Sequence, residues 1–203
     1  MSLCFRLTTP DDAKALSEIY RPYVENTTVS FEYIAPSAEE FKKRIVEYSA
    51  EYPYIVCEMD DECVGYAYAH RYKVRHAYRY AAELSIYLKR GVHGRGIGQA
   101  LYGALIDILD LMGCKNLYGI VTVPNPESFR LHEKMGFSKV GTEHRVGYKF
   151  GKWIDVAIFE LCLGERVETA DCDMWFTEPL KITDVAEKAY EILKKHENTA
   201  SSD

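Results

Sequence analysis

Four glycines fall within eight residues, at 91, 94, 96 and 98, in the stretch RGVHGRGIGQALY (90–102). Ahead of them YAAELSIYL (80–88) alternates like a strand. Behind them Ala100, Leu101, Leu105, Ile108, Leu109 and Met112 recur at helical spacing over 98–112. A strand-to-helix junction this rich in glycine either brings backbone close to something or turns through positive φ, and the rest of the fold must be built around it. A P-loop would need a Lys and a Ser or Thr after its last glycine; Gly98 is followed by Gln99. The dinucleotide fingerprint G-x-G-x-x-G meets Gln99 when read from Gly94 and Leu101 when read from Gly96, and it opens a first βα unit, whereas this junction follows several elements. Two readings stay open. One is a cradle of outward-facing N–H groups at the positive end of a helix, with Arg90 and Arg95 adding charge, suited to a pyrophosphate. The other is a tight turn that binds nothing.

The chain around the junction reads as alternating elements. CFRLTT (4–9) is a first strand. Thr9, Pro10 and the two aspartates after it begin a helix with an N-cap, a proline at N1 and acids in the first turn, its inner face Leu16, Ile19, Tyr20 and Tyr23, broken or kinked at Pro22. NTTVSFEY (26–33) is a loop or short extended piece that exposes Phe31. Ser37 and Glu40 have capping-box spacing for a second helix with Phe41, Ile45 and Tyr48 inward. YIVCEM (54–59), DDE and CVGYAYAHRY (63–72) read as a hairpin, NLYGIVTV (116–123) as a strand, PESFRLHEKM (126–135) as a helix ended by Gly136, and WIDVAIFELCL (153–163) as a long final strand. The order β–α–α–β–β–β–α–β–α–β–β implies an α+β or mixed sheet with helices on both faces. Residues 164–203 read as an appendage whose stretch 183–197 is an amphipathic helix, with Val185, Ala189 and Ile192 on one side.

Composition narrows the partners. The net charge is −6 over 203 residues, so nucleic acid is not an expected partner. The six cysteines form no C-x-x-C pair and none lies at zinc-finger spacing from a histidine, so no metal is expected and they read as reduced thiols of a cytoplasmic protein. No apolar run approaches the ~20 residues of a membrane span, and no signal-peptide core is present at the N-terminus.

With these segments in view, the chain resembles the GCN5-related N-acetyltransferase (GNAT) family. The resemblance rests on SIYL, then HGRGIGQAL, then VPNPESFRLHEKMGF about thirty residues on. His93-Gly94-Arg95-Gly96-Ile97-Gly98 matches the acetyl-CoA signature Q/R-x-x-G-x-G/A, with His93 standing where Gln or Arg is usual. Further segments, ENTTVSFEY, the run from YPYIVCEM to ELSIYL and the closing GYKFGKWIDVAIFEL, look like the branch that acetylates phosphinothricin, methionine sulfoximine and methionine sulfone. The resemblance covers roughly residues 3–163 and leaves the appendage out. It implies a mixed, mostly antiparallel twisted sheet of six to seven strands flanked by helices, acetyl-CoA as co-substrate, a small-molecule amine as acceptor and a homodimer.

It also implies site residues. An ammonium must lose a proton before it can attack the thioester, which calls for a general base; Glu83 takes that place, sharing a strand face with Ser85 and Tyr87. An isolated strand glutamate would otherwise read as a partner in a salt bridge. The family's cofactor residues map to Ile86, Tyr87 and Leu88 for the pantetheine arm, to His93, Gly94, Arg95, Gly96, Ile97, Gly98 and Gln99 for the phosphates, and to Asn125, which otherwise reads as a turn residue between two prolines. A backbone N–H of the 84–88 strand would steady the charge developing on the thioester oxygen. His132 stands where many relatives carry a tyrosine, either as a proton donor to the leaving thiolate or as a helix histidine bonded to cofactor or core. In HRYKVRHAYRY (70–80) Arg75 would hold the acceptor's carboxylate or phosphinate, with Lys73, Val74, Phe31 and Glu83 around it. By itself that run also reads as a solvated loop or a single-stranded nucleic-acid binder. Two other functions stay open: acetylation of a protein N-terminus or polyamine, and a CoA-binding regulatory module without catalysis.

Overall fold

The computed structural model describes residues 2–92, 96–165 and 178–200. Seven strands form a single sheet: β1 (Leu3–Leu7), β2 (Tyr54–Met59), β3 (Glu62–Arg71), β4 (Ala81–Leu88), β5 (Asn116–Val123), β6 (Ser138–Lys149) and β7 (Lys152–Cys162). Their order across it is β1-β2-β3-β4-β5-β7-β6. All neighbours run antiparallel except β4 and β5, so the sheet is mixed and the fold α+β. The two tight hairpins each turn through positive φ at two residues. Asp60 and Asp61, at φ 50° and 64°, join β2 to β3; Phe150 and Gly151, at 49° and 74°, join β6 to β7.

Side-chain alternation divides the strands between two cores. On one face Phe5, Ile55, Cys57, Ala67, Leu84, Leu117 and Phe159 meet α3 (Ile97–Leu111). On the other, Tyr54, Val56 and Tyr66 meet Leu16, Ile19 and Tyr20 of α1 (Ala13–Asn26) and Phe41 and Ile45 of α2 (Ala38–Ser49). The helices on both faces agree with the element order read from the sequence. The Thr9 start is a 3-10 turn over Pro10–Asp12 that leads into α1, and α1 runs through Pro22 as one helix. A proline there removes the N–H that would reach the Glu18 carbonyl, and Glu18 is exposed, so water can take that bond. Half of the expected capping box forms: Ser37 Oγ accepts the Glu40 N–H at 3.2 Å, while the Glu40 carboxylate turns to Arg44 at 3.5 Å.

The C-terminal helix α5 (Ala186–Ala200) packs on α3 and β1. Val185, Ala189 and Leu193 are buried in the same core as Leu105. His196 Nε2 lies 2.8 Å from Asp107, and Glu197 accepts the Phe5 N–H at 3.0 Å, which occupies the outer rim of edge strand β1.

Candidate active site

The sheet opens at its parallel joint. β4 and β5 pair only at Ala81 with Asn116, Ala82 with Leu117 and Glu83 with Tyr118. Beyond Glu83 the two strands have no register partners between them, while β4 stays paired to β3 through Leu88 and β5 to β7 through Val123. One edge of β4 over residues 84–88 is therefore left with backbone donors and acceptors that no neighbouring strand uses. The wedge holds a cleft of about 60 Å³ lined by Ser85, Ile86 and Tyr87 on one side and Ile120 to Thr122 on the other, closed by Tyr102, Asn125, Ser128 and His132. Of the residues expected from the sequence, the cleft gathers Ile86, Tyr87, Asn125 and His132. The buried Thr122 hydroxyl finds no hydrogen-bond partner among the described residues, so this cleft contains a polar group that a ligand can satisfy.

Of the glycine junction, Gly98 packs beside the Leu88 and Ile86 side chains of β4. Gly96 is the N-cap of α3 in the left-handed region, at φ 74°. Gly98 serves packing: a Cβ there would stand 3.2 Å from the Leu88 side chain, so its absence lets α3 sit down on β4. His93, Gly94 and Arg95 lie outside the described residues. The start of α3 differs from the other helix starts. α2 and α5 carry glutamate in the first turn, as does α4 (Pro126–Lys134), and α1 has Asp12 at its N-cap; α3 has neither an acid nor a capping side chain. The N–H groups of Ile97, Gly98 and Gln99 thus face outward at the positive end of a 15-residue helix with no side-chain cap among the described residues. Leu88, the last residue of β4, is held from α1: Tyr23 Oη donates to its carbonyl at 2.6 Å.

Glu83 stands where the wedge begins, opposite His70 on β3. Its carboxylate is mostly buried, with Oε1 3.8 Å from His70 Nε2. Burial raises its pKa above the usual carboxylate value, and the positive charge of a protonated His70 draws it partly back.

His132 sits across the wedge, 4% exposed. It lies over Gly119 of β5, where a Cβ would collide with its Nε2, and within a cage of Tyr102, Phe137 and Phe159. Its Nδ1 is 2.8 Å from the Ser128 carbonyl, which can only accept, so Nδ1 carries the proton and Nε2 accepts from Tyr102 Oη at 3.1 Å. Burial holds the imidazole pKa down and the Tyr102 hydroxyl pKa up, which leaves a neutral ring bonded to a protonated phenol. Tyr102 escaped sequence reasoning; its only signal was a hydroxyl-bearing residue inside the apolar stripe of QALYGALIDIL. Asn125 is the N-cap of α4, with Oδ1 accepting the Ser128 N–H at 3.2 Å. That leaves its amide N–H groups for another acceptor.

The remaining expected residues lie apart from the cleft. Phe31 packs its ring against Gly147 of β6, where a Cβ would overlap it. Its loop is anchored by Lys149, whose buried Nζ donates to the carbonyls of Val24 and Ser30 at 2.7 Å each, and by a Tyr20–Glu32–Arg44 network. Lys73 rests on the rings of Tyr72 and Tyr78, Val74 is 87% exposed, and Arg75 is exposed at the cap of a 3-10 turn over His76–Tyr78. Burial pushes the thiols of Cys57 and Cys114 up to about 12, so neither is a nucleophile near neutrality; Cys172 lies outside the described residues.

The sequence and the fold are similar to those of known acetyltransferases. The chain is 35% identical over 154 residues to the phosphinothricin N-acetyltransferase of Streptomyces coelicolor, a match covering 74% of this chain and 90% of that one. It is 28% identical over 174 residues to the L-methionine sulfoximine/L-methionine sulfone acetyltransferase of Salmonella typhimurium, covering 84% of this chain and all of that one. Its fold superposes on the phosphinothricin acetyltransferase of Sinorhizobium meliloti, solved in complex with acetyl-CoA, with a TM-score of 0.81 at 32% identity, covering 89% of this chain and 98% of the other. The acetyltransferase (GNAT) domain matches residues 5–158, a span that begins in β1 and ends in β7 around the open parallel joint, and the chain belongs to that family of N-acetyltransferases.

Proposed function

We propose that this enzyme transfers the acetyl group of acetyl-CoA to the amine of a small amino acid or amino-acid analogue of the phosphinothricin or methionine sulfone type. The observation that carries the reading is the wedge between β4 and β5, which opens onto a helix start free of acidic side chains. The edge of β4 that faces the gap at Leu84 and Ile86 suits the amides of a pantetheine arm running past Tyr87 and Leu88, and Asn125 offers N–H donors from the far side. The N–H groups of Gly96 to Gln99 suit the pyrophosphate, with His93, Gly94 and Arg95 completing the signature. The names of the relatives supply the acceptor class.

In this reading Glu83 removes a proton from the acceptor's ammonium. The freed amine attacks the thioester carbonyl, whose oxygen is steadied by backbone N–H of β4. The C–S bond breaks, a thiolate whose conjugate acid has a pKa of about 8.5 leaves without needing a strong acid, and the second proton of the attacking nitrogen passes to that thiolate to give the neutral amide and free thiol. His132, neutral with its lone pair toward Tyr102, orients that hydroxyl in the cleft and is not itself the proton donor. Arg75 takes the acceptor's carboxylate or phosphinate, with Lys73, Val74 and Phe31 bordering the pocket. The exposed apolar side chains Tyr33, Ile34, Val146, Tyr148, Phe150 and Trp153 suit a homodimer contact beside it, in a cytoplasmic enzyme.

The test is release of free thiol from acetyl-CoA with methionine sulfone and phosphinothricin offered beside spermidine and a short peptide. Turnover confined to the amino-acid analogues supports the reading. Turnover confined to spermidine or the peptide replaces the acceptor class, and absence of acetyl-CoA binding overturns the reading altogether.

A further inference from the structure

We infer that His70 and Glu83 form a proton-relay pair in which the imidazole takes on the proton that the carboxylate removes from the acceptor amine. The inference rests on Glu83 acting as the base and deepens that reading. His70 is the register partner of Glu83 across β3 and β4, with the two side chains on the same face of the sheet. Its Nδ1 lies 3.0 Å from the Arg71 carbonyl. A carbonyl only accepts, so Nδ1 holds a proton and the lone pair of the neutral ring is at Nε2. That nitrogen faces Glu83 Oε1 at 3.8 Å. A lone pair facing a carboxylate gains nothing until a proton lies between them; then it becomes a charge-assisted pair. The ring is held in this orientation by stacking on Tyr48 of α2, with centroids 5.4 Å apart, and on Tyr68 of β3 at 6.0 Å. About a quarter of its side chain is exposed, so the proton can pass on to water.

The step balances. The ammonium gives one proton to Glu83 Oε1, and the carboxyl, closing the 3.8 Å separation, passes that same proton to His70 Nε2. Glu83 is again a carboxylate, now paired with an imidazolium, and the nitrogen lone pair is free to form the new C–N bond. The other groups facing the pair do not interfere in the acid range. Tyr48 from α2, Tyr68 from β3 and Tyr102 from α3 are all pushed above the usual phenol value by burial and, in smaller part, by Glu83. Arg71 turns to Glu51 at 3.7 Å, and Tyr118, opposite Glu83 on β5, donates to Glu160 at 2.6 Å.

The test compares the pH dependence of kcat/KM for wild type, His70→Gln and His70→Asn, with the best acceptor from the panel above. A pair with two sites binds its first proton more tightly than the carboxylate alone. Both variants should therefore lose roughly tenfold in plateau kcat/KM, and their acid limb should move toward lower pH by about one unit. Acetyl-CoA affinity and thermal midpoint should stay as in wild type. An acid limb that is unmoved, or that moves to higher pH because the imidazolium merely stabilised the carboxylate, overturns the relay even if the rate falls. Wild type that turns over no acceptor overturns the underlying reading, and this inference with it; wild type that turns over while the variants match it overturns the relay alone.

Discussion

The two faces of the sheet are built from different materials. The face under α3 and α5 is aliphatic: Leu101, Leu105, Ile108 and Leu109 are fully buried against Ile55, Ala67 and Leu117. The face under α1 and α2 is a column of tyrosines, with Tyr54, Tyr66, Tyr68 and Tyr87 in successive ring contact and their neighbour Tyr20 bonded to Ser30 and Glu32. Glu83 belongs to the tyrosine face, and His132, lying on Gly119, to the aliphatic one. The two flank the open joint of the sheet, Glu83 where its pairing ends and His132 in the cleft beyond. Stability is concentrated on one side of this molecule and positioned polarity on the other.

The largest expected effect tests the polar side. Glu83→Gln should lower kcat/KM by about 10²–10³-fold with an unchanged thermal midpoint, since the amide keeps the shape; a loss under tenfold would remove Glu83 as base. Next, Leu105→Ala on the aliphatic face should cost about 2–5 kcal/mol in denaturant unfolding while kcat at permissive temperature holds. Gly119→Ala joins the two properties. The new methyl must displace His132 at about 1–3 kcal/mol, and activity should fall with it, measured as kcat beside the unfolding midpoint. Tyr20→Phe should cost about 1–2 kcal/mol, because it leaves Ser30 without that partner, and less than Leu105→Ala if the contrast between faces is real. The smallest effect is in pH. Burial pushes the Asp12 carboxyl up, but hydrogen bonds from Arg6 at 2.7 and 2.9 Å and from Thr9 hold it lower still, below its usual value. A depressed carboxylate stabilises above its unfolded pKa, and that contribution is lost as pH falls through the folded one. The thermal midpoint should therefore drop below about pH 4, and Asp12→Asn should flatten that drop.

Much of the fold was legible because its signals are local. NLYGIVTV coincides with β5, the Asp-Asp turn adopts the positive φ that a two-residue hairpin loop requires, and Gly136, at φ 86°, follows α4. β6 could be counted but not delimited, because SKVGTEHRVGYK is mostly exposed and slips register twice against β7, so no alternation marks its ends. Residue type and chemistry singled out Glu83 and His132, which stand at the start of the wedge and in the cleft. Partners brought together by register were not legible. Nothing in the spacing of Tyr102 and His132, thirty residues apart, says that they touch, and the pairing of His70 with Glu83 depends on how β3 lies against β4. The glycines illustrate both cases. Gly98, expected as a ligand contact, also lets α3 pack on β4, while Gly119, unremarked inside a strand, makes room for an imidazole.

The open joint between β4 and β5 has a consequence for how the protein responds to what it binds. A sheet lacking its central rungs there is held on that line by three register pairs, so the amides of residues 84–88 and 119–123 that point into the gap should exchange hydrogen with solvent faster than those bonded to β3 and β7. A molecule laid along the gap supplies the missing acceptors and couples the two halves of the sheet. Its binding energy is then read as resistance of the whole domain to unfolding, about 2.7 kcal/mol at a hundredfold excess over Kd. Saturation would make the weakest seam of this protein a slow-exchanging one.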